Sequence, residues 1–288
     1  MRVRTVLGQS MRCSLQPRER KVDIALEGVR LHKLMDARAL AGEILRCPEF
    51  ARCHADPASQ HPCHTVANWY GSLPDGTTFY PEPWMGHLAV APILFVASNP
   101  GAGMRGEMPD KENWLTSADS TEELVTAADG AFDTGQRPGI TDATHYVDRH
   151  GKSVGRAIRY WSWCWGRAAE LLQRPPAPGV DYAITEAVHC GSRGEEGVRE
   201  AFATCTALYF DRVLAASPAK VILCTGAWAA RAFEERGADF VDDGWGPVTI
   251  GGTERLVLRV PHPNRWGKRW ALEANVPAHL ETARSLLA

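Results

Sequence analysis

Apolar residues along this chain fall into short unbroken runs and longer stretches with helical spacing. Ile93-Leu94-Phe95-Val96, bounded by Pro92 and Pro100, is continuous and short, which suits a strand buried on both faces. Tyr182 to Val188, Lys220 to Thr225 and Leu256 to Val260 repeat that pattern. Stretches with 3.6-residue spacing lie around them and predict helices over Val154 to Leu172, Val198 to Ala215, Ala227 to Glu235 and Pro277 to Leu287. A further helix, with an acidic start, is predicted over Asp36 to Leu45. Four strands alternating with helices predict a layered α/β fold whose sheet is mostly parallel.

The intervening segments are polar. Residues 1–35 form a basic, poorly patterned N-terminal extension, and 36–288 read as one domain. Within that domain a Cys-, Pro- and His-rich segment covers 47–64, and an insertion or lid runs over about 104–150. Its Gly- and Asp-rich part, Thr116 to His150, is expected to hold little regular structure.

With 44% hydrophobic and 23% charged residues over 288 positions, the chain can bury one sizeable core. A net charge of −2 argues against a broadly basic nucleic-acid coat, though not against a local basic groove. The opening Met1-Arg2-Val3-Arg4 is too interrupted for a signal peptide, and no apolar run approaches the roughly 18 residues of a membrane span. A cytoplasmic location is therefore expected. Eight cysteines in a reducing compartment are better read as metal ligands than as disulfides.

Three polar motifs sit where strands should end: Ser98-Asn99-Pro100-Gly101, Thr185-Glu186-Ala187-Val188-His189-Cys190 and Pro261-His262-Pro263-Asn264. In open α/β sheets ligands bind outside the carboxyl ends of the strands, so the three can converge on one pocket. They occur in a set order. Cys47 and Cys53 come first, then the Ser98 motif, the Glu186 motif with Cys190, Cys205 on the next helix, and His262-Pro263.

In this order and spacing the chain, from about Asp36 onward, resembles the uracil-DNA glycosylase superfamily, especially its iron–sulfur-containing branch. The resemblance implies a three-layer α/β/α fold with a central, mostly parallel four-stranded sheet. It implies a [4Fe–4S] cluster on Cys47, Cys53, Cys190 and Cys205, with Cys63 competing for an N-terminal place. Zinc on Cys53, His54, Cys63 and His64 is the alternative, since zinc accepts mixed thiolate and imidazole ligands. Cys13, Cys164 and Cys224 read as small buried or incidental thiols.

The same resemblance gives His262 the hydrogen bond to the departing base and Asn99 the attacking water. Ser98, Pro100, Gly101 and Asn264 would border the base. Arg265 or Trp266 would enter the gap left by the flipped nucleotide, with Lys268 and Arg269 on phosphates. Glu186 departs from the pattern, because uracil-removing members place an asparagine there. An ionised glutamate only accepts hydrogen bonds, which suits an exocyclic amino group. The expected activity is therefore a DNA glycosylase acting on a modified cytosine-type base, as an anti-phage enzyme would. The alternatives are a uracil or mismatch repair glycosylase and an inactive DNA-binding module. The bland reading of Glu186 is a structural acid paired with Arg or His. The expected partner is DNA with a damaged or modified base, with no membrane, no nucleotide cofactor and a monomeric chain.

Overall fold

The computed structural model describes residues 34–56, 58–69, 78–101, 120–132, 146–147, 153–154, 158–264 and 271–288. The N-terminal extension up to residue 33, most of the 104–150 insertion, and Arg265, Trp266, Lys268 and Arg269 lie outside them.

The four expected strands form, as β1 (Ile93–Ala97), β4 (Tyr182–Glu186), β5 (Val221–Thr225) and β7 (Thr253–Val260). They pair in parallel, in the order β4-β1-β5-β7. A fifth strand, β6 (Gly244–Ile250), adds to β7 in antiparallel fashion, so the sheet is mixed and five-stranded where four parallel strands were expected. The hydrophobic pattern misses β6 for a physical reason. It is an edge strand carrying Gly246 and Pro247, mostly exposed, and its register shifts between Trp245 and Val248.

Both faces of the sheet are apolar. Leu94, Val96, Ala183, Ile222 and Val257 join one core cluster with the helix over 34–45 (α1), α2 (Pro48–Ala55), α6 (Val198–Cys205) and α8 (Ala227–Glu234). Ile93, Phe95, Tyr182, Leu223 and Leu258 join the other, with α5 (Arg159–Leu172) and α10 (Leu280–Leu287). Helices on both faces are compatible with a three-layer α/β/α arrangement.

The predicted helix from Val198 is continuous to Ala216, but a π-helical segment, Thr206–Phe210, separates α6 from α7 (Asp211–Ala216). The expected loop around Thr116 to His150 contains a helix, α4 (Thr121–Asp129). Ser120 and Glu123 close a capping box at its start, and Leu124, Val125 and Ala128 are buried. Its polar outer face hid this helix from a reading based on composition. Short strands β2 (Tyr146–Val147) and β3 (Ser153–Val154) pair nearby. No helix among the described residues is long and apolar enough to cross a membrane.

Arg255 on β7 is fully buried, with no acidic partner among the described residues. Its guanidinium donates to the carbonyls of Leu214, Ser217, Ala219 and Ile250 at 2.6–3.0 Å, and burial lowers its pKa to about 10. Those carbonyls belong to the α7–β5 connection and the β6–β7 turn, so one side chain holds both against the sheet. Arg255→Met leaves four acceptors unpaired and should lower stability by about 3 kcal/mol or more. Exposed Arg231→Ala should stay within about 0.5 kcal/mol, and urea unfolding of the two variants checks this.

Candidate functional site

β1 and β4 are paired to their last residues, Ala97 opposite Glu186. The pairing then continues through the two motif loops. The Ala187 and Val188 N–H groups donate to Ala97 and Ser98 carbonyls, and the Ser192 N–H donates to the Pro100 carbonyl at 3.2 Å. Asn99 crosses the same gap. Its Nδ2 donates to Ser192 Oγ at 3.1 Å, to the Pro100 carbonyl at 3.1 Å and to the Cys190 carbonyl at 3.4 Å. Among the described residues none hydrogen-bonds its Oδ1. The amide is held by its nitrogen and presents an acceptor.

β4 and β5 flank β1 on opposite sides, so the chain reverses its direction of growth across the sheet at β1. A crevice is expected outside the carboxyl ends of β1 and β5 at such a switch point. Gly226, directly after β5, occupies it with φ 93°, and a Cβ there would come within 2.4 Å of Ser98 Oγ. Ser98 Oγ in turn accepts from the Trp228 N–H at 3.3 Å. Gly101 differs, because a Cβ added to it meets nothing within 4 Å.

His262, after β7, reaches the same region. It lines an open groove of about 1020 Å³ with Gly226, Trp228, Arg199, Arg231 and Arg259. Acids balance two of the arginines, since Arg231 pairs with Glu235 and Arg259 with Asp243. The His262 ring lies parallel to Tyr160 of α5, centroids 5.6 Å apart. Burial lowers its pKa, against an opposing pull from Glu195 and with a smaller push from Arg159. Its Nδ1 accepts from the Asn264 N–H at 3.2 Å. A neutral imidazole with Nδ1 accepting carries its proton on Nε2, and Nε2 is then the donor available to a ligand.

Glu186 is 7% exposed. The pairing with Arg or His that a structural acid would need has no counterpart among the described residues. Burial, with the Glu82 carboxyl as the next cause, pushes its pKa well above the usual carboxylate range. Burial likewise raises Glu82 to about 7. Burial and the like charge of Glu82 thus disfavour the ionised acceptor expected from the residue type of Glu186. Glu186 does not line the groove at His262. Tyr160 and Cys164 of α5 both feel its charge, and Tyr160 therefore connects it to the His262 ring.

The cysteines converge elsewhere on the same loop. Cys47, Cys63, Cys190 and Cys205 line a small apolar-walled cavity with Tyr209 and His189. Cys53 is buried but not among the lining residues, and its Sγ lies 3.5 Å from His61 Nδ1, whose Nε2 contacts Glu49 at 3.0 Å. Burial raises the Cys63 and Cys205 thiols to about 12. No group of three or more His, Cys, Asp or Glu among the described residues is arranged to hold a metal ion. A single zinc needs its ligands at about 2.0–2.3 Å, whereas each thiolate of a [4Fe–4S] cluster binds a different iron and stands further from its neighbours. Cys164 and Cys224 are buried within the core, as small thiols are expected to be.

Three site residues escaped the sequence. Tyr160 sits among the tryptophans of α5, where aromatics read as core, and Trp161, Trp163 and Phe132 are indeed buried there. Glu82 lies between Pro81 and Pro83, a spacing that signals an extended segment but no chemistry. Glu195 is marked only by its left-handed backbone, φ 62°. No protein-family profile matches the chain, and no curated protein matches it significantly.

Gly226→Ala forces a left-handed backbone and a steric clash, and should cost about 1–3 kcal/mol. Gly101→Ala should leave thermal unfolding in place, because its Cβ would enter open space. Any loss of ligand binding in Gly101→Ala would then report a ligand that approaches the backbone there.

Proposed function

We propose that this chain is a DNA glycosylase that flips a nucleotide, hydrolyses its N-glycosidic bond and leaves an abasic site. The observation that carries this reading is His262, neutral, with Nε2 as the free donor at the switch-point crevice. As the bond breaks, negative charge grows on the base, and a preorganised neutral donor stabilises it. Asn99 Oδ1 accepts a hydrogen bond from the attacking water and orients it toward C1′. An amide takes no proton from that water, so the rate depends on how well the base leaves. The flipped base is then read by hydrogen bonds to its edge.

The preferred substrate is a modified cytosine-type base, in keeping with a role against phage DNA. A specific observation favours a second reading. A neutral carboxyl offers a donor and an acceptor, as the asparagine of uracil-removing enzymes does, so a uracil or mismatch repair glycosylase fits Glu186 as well.

The cavity lined by Cys47, Cys63, Cys190 and Cys205 supports a [4Fe–4S] cluster, since four cysteines border one apolar space, the ligand number such a cluster takes. Cys63 takes the place first assigned to Cys53. When bound, the cluster supplies structural cross-links between the 47–64 segment and the loop after β4. Cys63→Ser should lose iron and visible absorbance on reconstitution, and Cys53→Ser should keep both.

The function is tested with matched oligonucleotides carrying uracil, hydroxymethylcytosine, glucosylated hydroxymethylcytosine or ordinary bases, followed by alkaline cleavage. Release from a modified cytosine is expected, falling about 10²–10³-fold in His262→Ala. Release from uracil alone selects the repair reading. No release from any of them selects a DNA-binding module.

A further inference from the structure

We propose that Tyr160 of α5 is the positioning residue for His262: its ring face sets the plane of the imidazole, and with it the direction in which Nε2 donates to a ligand in the groove. The consequence for catalysis rests on the glycosylase reading above, whereas the geometry does not.

His262 stands two residues beyond the end of β7, between Pro261 and Pro263. A proline fixes its own φ and pushes the residue before it toward extended backbone, so the main chain at His262 has little freedom. The side chain is different. The torsion that turns an imidazole about its Cβ–Cγ bond is broad and soft. The Asn264 N–H donates to Nδ1 at 3.2 Å and holds one edge of the ring. Tyr160 holds its face, with the two rings within 10° of parallel and their centroids 5.6 Å apart. An imidazole N–H lies in the plane of its ring, so fixing that plane fixes the line along which Nε2 reaches a ligand. Tyr160 does not line the groove, and it therefore acts through His262.

Tyr160 is itself held by α5. Three residues further along, Trp163 stacks with it, centroids 5.9 Å apart and planes 16° from parallel. Trp163 meets Phe95 of β1 edge to face at 5.7 Å, and both are buried. The ring contacts thus run from His262 through Tyr160 and Trp163 to the strand that carries Asn99, four residues after Phe95. In the order β4-β1-β5-β7, β5 separates β1 from β7, so the two strands lie about 10 Å apart. The sheet sets that spacing but not the turn of a side chain beyond it. Phe95, Trp163, Leu223 and Leu258 share one core cluster, so α5 covers β1, β5 and β7 on the same face. Through that core the donor at His262 is registered against the acceptor at Asn99. A donor misplaced by about 1 Å can cost about 10²-fold in rate.

Ring protons lying over an aromatic face resonate upfield of those of an exposed histidine. In the proton spectrum of histidine-labelled wild type, the ring signal that disappears in His262→Ala should be shifted in this way. Tyr160→Phe keeps an aromatic face and should keep the shift, whereas Tyr160→Leu should lose it. Single-turnover release is then measured on the oligonucleotides carrying uracil, hydroxymethylcytosine or glucosylated hydroxymethylcytosine. On the one that wild type cleaves fastest, the rate should fall about 10²-fold in Tyr160→Leu, with the half-saturating DNA concentration within about twofold, and return to within about threefold of wild type in Tyr160→Phe. A wild-type His262 signal at the position of an exposed histidine overturns the proposal without any variant. So does a shift or a rate that is unchanged in Tyr160→Leu, an equal loss of rate in the Leu and Phe variants, or a loss carried wholly by weaker DNA binding. If the wild type releases no base from any oligonucleotide, the glycosylase reading fails, and the His262 signal still decides whether Tyr160 orients the ring.

Discussion

The pairing of β1 with β4, carried past the last residue of each strand, is the constraint on which the rest of the site depends. Ala97, Ser98 and Pro100 supply carbonyls to Ala187, Val188 and Ser192, and Asn99 ties the ends of the ladder to Cys190 and Ser192. Parallel strands usually part at their carboxyl ends to leave a crevice. Here the crevice opens on the other side of β1, against β5, where Gly226 leaves the space for Ser98. One side of β1 is closed by this ladder, and beyond Gly226 on the other lies the groove that His262 lines.

That asymmetry sets the electrostatics. Arg255 shows how this protein treats a buried charge it needs for structure, by surrounding it with four carbonyls. Asp181 is treated the same way, with a bidentate Arg174 and the Ala177 N–H, and its pKa is lowered. Glu82 and Glu186 receive neither a cation nor a donor among the described residues. Leaving a buried acid without such partners destabilises its ionised form, and the fold does so at Glu186, the last residue of β4. Structural need explains Arg255 and Asp181.

The legible part of the fold was the part written in apolar runs. β1, β4, β5 and β7 are buried on both faces, so their sequences are continuous and unmistakable. β6 and α4 expose one side, and their patterns are diluted by glycine, proline and charge. The site divides along similar lines. Asn99 and His262 stand just after strands, where the topology directs attention, and among the described residues Asn99 Oδ1 and His262 Nε2 have no hydrogen-bond partner. Tyr160, Glu82 and Glu195 enter the site from a helix and two loops distant in sequence. Only tertiary packing brings them in, so no local pattern could have shown them. The upward pKa shift of Glu186 was equally hidden, because a residue letter carries no information about burial or about a second acid 104 positions away.

His189 joins the cysteine cavity to the end of β4. It is buried, its burial pushes its pKa down to about 4, and its neutral ring donates from Nδ1 to the Glu82 carbonyl while its own carbonyl takes the Glu82 N–H. The next residue is Cys190, which lines the cysteine cavity and accepts from Asn99. Glu186 at the end of β4 is therefore followed, on one loop of fixed backbone, by the clamp at His189 and by Cys190, which lines the cavity and braces Asn99. A group bound at the cysteines would tighten that loop from one end, and the β1 ladder tightens it from the other. The backbone after Glu186 is then held by the bonds from Ala187 and Val188 to Ala97 and Ser98 and by the clamp between His189 and Glu82.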